Sequence, residues 1–218
     1  MVDVVTARVR ALIDGALDRV FDEPFDVRTG RQLEELVAEG PGRMGGAPSA
    51  TTLTAFVAAA TPMARRALAL ATKSSKVATK TPLPSSKALK VGLASIPVAM
   101  QLSTTTRRGV RELQLLASYV MTRLRGAGVA PDPGLVRSLT LSLYLDPARR
   151  PALEVPGGRA AAAVARQWVL RSLGGDAESA VRARARHQAE AIDRLDLAAL
   201  GAQWARQRTN RPELTSGS

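Results

Sequence analysis

Apolar residues return every third or fourth position through most of this chain, the period of an amphipathic helix and not of a strand. Over residues 3–22 they are Val5, Val9, Leu12, Ile13, Ala16, Leu17 and Val20, and Pro24 ends the run. Thr29 followed by Gln32 is a capping-box pair that opens a short helix through Leu33, Leu36 and Val37. Residues 40–49, GPGRMGGAPS, read as a loop. A second helical run extends from Ser49 towards Ala71 on Leu53, Phe56, Val57, Met63, Leu68 and Leu70, with Pro62 either kinking it or starting a new helix.

The clearest periodicity lies at 107–125. Val110, Leu113, Ala117, Val120, Met121 and Leu124 make one stripe, flanked by Arg107, Arg108, Arg111, Arg123 and Arg125. Gly126 and Gly128 stop it, and Asp132-Pro133 restarts a helix as N-cap and first helical residue, with Leu135, Val136, Leu139 and Leu143 on its core side. Residues 159–173 read as an Ala-rich helix carrying Trp168, Val169 and Leu173. Gly174-Gly175 break it, and Asp176 caps one last stretch to about Arg206, marked by Val181, Ile192, Leu195, Leu200 and Trp204. No segment alternates as a strand does. The expected fold is all-α, a multi-helix bundle with a flexible basic connector and no β-sheet. Its core would centre on helices at 3–20, 50–71, 107–125 and 133–145. Residues 1–150 would form the core domain, with a basic loop at 72–90. Residues 151–207 would pack on it or extend from it, and 208–218 would be a disordered tail.

Charge changes this picture. The 218 residues carry a net charge of +12, and it is unevenly laid out: −4 over residues 1–39, +11 over 40–111 and +5 over 112–218. Between Gly40 and Arg111 there is no Asp or Glu, and all five lysines fall in 73–90, within TKSSKVATKTPLPSSKALK. High-GC codon bias is an alternative source of the Ala/Arg excess and of the global +12, but a poorer account of this layout. The aromatics are few, so the core must be aliphatic, and with no cysteine there is no disulfide or thiolate chemistry. The opening MVDVVTARVR carries Asp3 and lacks an apolar run, unlike a secretory signal. The most apolar window, Val91 to Leu102, is too short to span a bilayer and contains Pro97.

Catalytic chemistry finds no foothold. Gly40, Gly42 and Gly45 stand in G-x-G-x-x-G order, but a helix pattern precedes them and Ala47-Pro48 follows, so they read as a turn and not as a phosphate loop. His187, the only histidine, sits among arginines and reads as a surface residue, too isolated for a zinc site or a hydrolytic triad. Asp193 and Asp196, like Glu34 and Glu35, read as helix acids that offset arginine charge. No cofactor, metal or catalytic residue is expected.

The basic block carries the functional reading. Arg65, Arg66, Lys73, Lys76, Lys80, Lys87, Lys90, Arg107, Arg108 and Arg111 would supply an anion-binding face, and Leu89, Val91, Leu93 and Ile96 an apolar insertion. Basic residues beside short apolar helices suit the interface of an anionic membrane, where long cationic side chains snorkel. The expected protein is non-enzymatic and cytoplasmic, peripheral at the inner face of the membrane, with anionic lipid or an acidic protein as partner. The rival reading is unspecific nucleic-acid binding through the same charges and the arginine-rich helix at 182–194. Residues 57–118 contain no aromatic for base stacking. The plain alternative is a solvated linker.

The segment IPVAMQLSTTTRRGVRELQLLASYVMTRLRGAGVAPDPGLVRSLTLSLYLDP, ending at Pro147, resembles the central region of the EcsC family of bacterial proteins. The likeness rests on a small-residue apolar segment at a Pro-containing turn, a Leu-rich helix with internal Gln and Arg, a Gly/Asp turn, and a V-R-x-L-x-L-x-L run. It covers about a quarter of the chain. It implies an all-helical protein loosely associated with membranes or ABC-transporter function, with no catalytic residues to carry over.

Overall fold

The computed structural model describes residues 2–40, 96–149, 151, 153, 158–174 and 177–210. They form α1 (Val2–Asp22), α2 (Gly30–Ala38), α3 (Ile96–Gly126), α4 (Pro133–Leu145), α5 (Gly158–Gly174), α6 (Glu178–Asp193) and α7 (Leu197–Thr209). The fold is all-α, with no strand among the described residues. The helix expected at 50–71 and the basic connector at 72–90 lie outside the described residues, as do residues 211–218 of the tail expected at 208–218, whereas Arg208 and Thr209 belong to α7.

Two expectations about helix limits are corrected. The helix expected to start at 107 starts at Ile96, because Pro97 sits in its first turn, where a missing N–H costs nothing and a fixed φ helps. The stretch read as one helix to Arg206 is two. It breaks after Asp193, and the Asp196 carboxylate accepts from the Ala199 N–H at 2.9 Å to cap a new helix. Asp196 is thus an N-cap and not a charge-offsetting helix acid.

The chain divides into two compact units interleaved in sequence. The first comprises Met1–Asp14, Gly40–Arg111 and Gly158–Ala177; the second comprises Gly15–Glu39, Glu112–Gly157 and Glu178–Ser218. In the first, α3 buries Thr105, Thr106, Gly109 and Val110, and α5 buries Ala161, Val164, Ala165, Trp168, Val169 and Ser172. The Trp168 ring lies directly over Gly109. A Cβ there would stand 2.1 Å from the indole Nε1, so only glycine admits this crossing.

In the second unit α4 is the central helix. Leu135, Val136, Ser138, Leu139, Thr140, Leu141, Leu143 and Tyr144 are all buried, which covers its whole circumference. Asp132 begins it as the sequence predicts: its Oδ1 accepts from the Gly134 N–H at 2.9 Å and the Leu135 N–H at 3.2 Å. The same carboxylate fastens α7, accepting from Trp204 Nε1 at 2.9 Å through Oδ1 and from Arg208 through Oδ2. Gly128, at φ +72°, takes the left-handed turn that ends α3, and the Val129 N–H then donates to the Leu124 carbonyl at 2.9 Å. The capping box on α2 is present, with the Gln32 N–H on Thr29 Oγ1 at 3.2 Å and the Thr29 N–H on Gln32 Oε1 at 3.2 Å. α2 packs along α6.

Candidate anion-binding surface

Charge divides with the fold. The described residues of the first unit carry eight arginines and two aspartates; those of the second carry thirteen arginines and fourteen acids. Counted over their full sequence segments, the units carry +13 and −1. The first unit's parts of α3 and α5 contain no acid at all. Those stretches therefore offer their arginines no carboxylate of their own.

Of the residues expected to form the basic face, Arg65, Arg66, Lys73, Lys76, Lys80, Lys87 and Lys90 lie outside the described residues, as do Leu89, Val91 and Leu93. Arg107, Arg108 and Arg111 are on α3, and the structure separates their roles. Arg107 is exposed and has no ion-pair partner among the described residues. Arg108 and Arg111 are half-buried and engaged in interactions within the molecule. The Arg108 guanidinium lies by Gly40, where a Cβ would stand 3.6 Å from Nη2.

Sequence reading missed a second basic feature, on α5. Arg159, Ala163, Arg166 and Leu170 are the exposed positions among the described side chains of that helix. Their spacing of four, three and four places all four within a sector of about 60°, opposite Trp168. Leu170 is 49% exposed, one of two large hydrophobic side chains left open among the described residues. Neither Arg159 nor Arg166 has an ion-pair partner among the described residues. The signal was available: no acid occurs between Glu154 and Asp176. Tracking only the buried stripe passed over the outer one.

The second unit pairs its charges internally. On α6, Arg182 meets Glu178 at 2.9 Å and Arg194 meets Glu190 at 3.1 Å. Arg186 grips Glu34 of α2 through two bonds of 3.0 Å, and Arg184 stands 3.9 Å from the buried Glu112. Glu34 is held below the usual carboxylate range, chiefly by the Arg186 hydrogen bonds. Glu34 is thus a cross-helix tie, where the sequence suggests a plain helix acid, while Glu35 keeps the expected pairing with Arg31 at 3.0 Å. Asp193 Oδ1 accepts from the Tyr119 hydroxyl at 3.0 Å and from Arg123 Nε at 3.0 Å, which ties α6 to α3. Burial, with the Asp193 hydrogen bond, pushes the Tyr119 hydroxyl up to about 12. His187 is exposed.

An open cleft of about 380 Å³ lies beside this cluster, lined by Arg123, Gly126, Ala127 and residues 192–198 apart from Arg194. Its lining holds two carboxylates: Asp193 is tied to Arg123 and Tyr119, and Asp196 caps α7. Among the described residues no three His, Cys, Asp or Glu side chains gather so as to hold a metal ion, and no helix is long and apolar enough to cross a membrane. No protein-family model, no curated protein and no solved structure matches the chain.

Proposed function

We propose that this is a non-enzymatic peripheral protein whose first unit engages the anionic head groups of a membrane surface from the cytoplasmic side. The observation that carries the reading is the confinement of the whole net charge to one compact unit whose α3 and α5 portions hold no acid. Each arginine or lysine near an anionic lipid surface is worth about 1 kcal/mol, so a handful suffices for reversible attachment. The basic block of 65–111 would supply the bulk of the attraction, and the EcsC-like character of residues 95–147 agrees with such a role. An acidic protein would be drawn by the same field.

Nucleic acid would be drawn too, and it is the competing reading. The second element it would use, the arginines of 182–194, is poorly placed to bind phosphates, because Arg182, Arg184, Arg186 and Arg194 each face a carboxylate. Co-sedimentation with phosphatidylserine-containing and with pure phosphatidylcholine vesicles at physiological salt tests the proposal. The full chain should pellet with the anionic vesicles alone, excess duplex DNA should leave it there, and changing the five lysines to Gln should release it. Complete stripping by DNA would transfer the function to nucleic acid, and failure to bind either would reduce the block to a solvated linker.

A further inference from the structure

The outer stripe of α5 is unusual for an arginine-bearing helix face. Its cations have no carboxylates to bind among the described residues, and an open leucine stands in line with them. From Arg159 to Leu170 it runs about 16 Å along the helix. Ala163 lies between the two arginines and keeps the centre of the stripe low. The opposite face is pinned, because Trp168 sits two residues from Arg166 and is fully buried over Gly109. Side chains on such a helix point outward from a fixed base.

We infer that this stripe is a membrane contact in its own right, lying along an anionic phospholipid surface with Arg159 and Arg166 on head-group phosphates or carboxylates and Leu170 dipping below them. The inference rests on the membrane reading above and gives it a second site, remote in sequence from the lysine block. Charge complementarity selects an anionic partner, and Leu170 selects lipid among anionic partners. A phosphate backbone has no use for a half-exposed leucine in line with two arginines, whereas a lipid interface rewards an apolar residue beside snorkelling cations. A protein partner fits less well. Two arginines, an alanine and a leucine cover far less than the roughly 1,200 Å² a specific protein interface buries, while a membrane adds up many small contacts.

The test uses the full chain and phosphatidylcholine vesicles with and without phosphatidylserine. At about fivefold per arginine, the double variant R159Q/R166Q should bind anionic vesicles about 25-fold more weakly than wild type. L170Q should weaken binding about fivefold. R159K/R166K, which keeps the charge, should bind within about twofold of wild type. R19Q/R125Q removes two exposed charges from the second unit and should also stay within about twofold, separating location from net charge. All these positions are exposed, and unchanged circular dichroism would show that the fold is intact. If wild type binds while R159Q/R166Q or L170Q binds equally well, this inference falls and the lysine-block reading survives. If wild type ignores anionic vesicles, both fall together. Stripping of the wild type by duplex DNA would also overturn it.

Discussion

In the first unit α3 and α5 meet where an indole lies over a glycine; in the second, α2 and α6 meet through a glutamate and an arginine clasped in two hydrogen bonds. The difference goes beyond the choice of contact. A unit that uses carboxylates to join its helices also neutralises its arginines, and the second unit ends close to zero charge. A unit joined by shape can leave its acids out. Close packing in the first unit thus joins two helix stretches that carry arginines but no acid of their own.

The largest effects are expected at the crossing of α3 and α5. Trp168→Ala should cost about 3–5 kcal/mol in chemical denaturation, since it empties the space of a fully buried indole. Gly109→Ala should destabilise by about 1–3 kcal/mol although alanine is the better helix former, because its methyl must displace the ring. Combining Gly109→Ala with Trp168→Leu should cost less than the two single changes added, as expected for residues that share one space. Additive costs would mean that the crossing is not what holds α3 to α5.

In the second unit the equivalent point is Asp132. Asp132→Ala removes a helix cap, the Trp204 hydrogen bond and the Arg208 pair together, and should cost about 2–3 kcal/mol. Asp132→Asn keeps an oxygen for the cap and the indole, and should cost about 1 kcal/mol or less. Equal losses for the two variants would place the weight on the ion pair.

Smaller effects appear at the extremes of pH. The Tyr119 hydroxyl is raised above its ordinary value near 10, so its contribution is complete below pH 10 and is lost as pH rises towards about 12. Wild-type stability should therefore fall more steeply than that of Tyr119→Phe over that interval, as read by thermal melts. Glu34 is shifted the other way. Its contribution is present above about pH 4.3 and is lost as pH falls below it. Protection factors of α2 amides should fall below that point in wild type, and less so in Glu34→Gln. Peptides from α5, which has no acid, should show no matching change.

What could be read from the sequence was what acts locally. The apolar stripe of α1 from Val9 to Val20, the Thr29–Gln32 box and the Asp132-Pro133 start are local patterns, and each appears where the pattern places it. The ties that join helices leave no such trace. Asp132 and Trp204 are 72 residues apart, and Glu34 and Arg186 are 152 apart. From either end alone, Asp132 reads only as a cap, Trp204 as an apolar mark, and Glu34 and Arg186 as ordinary charged helix residues. Asp196 was locally legible and was missed because its carboxylate, in an arginine-rich stretch, suggested charge pairing before capping. The α5 stripe was missed for the opposite reason. It is a periodicity of exposed residues, and the search for a core follows only buried ones.

Any glycine codon becomes an alanine codon by a single base change, and alanine is the commonest residue in this chain. Mutation should therefore carry helical glycines steadily towards alanine, and helix propensity would welcome the exchange. At position 109 that path is closed by a side chain 59 residues downstream. It opens only after the indole at 168 has given way to something smaller. In descendants of this sequence the two positions should change in that order, ring first and methyl second. A lineage that holds alanine at 109 together with tryptophan at 168 should be one in which α5 has shifted its seat.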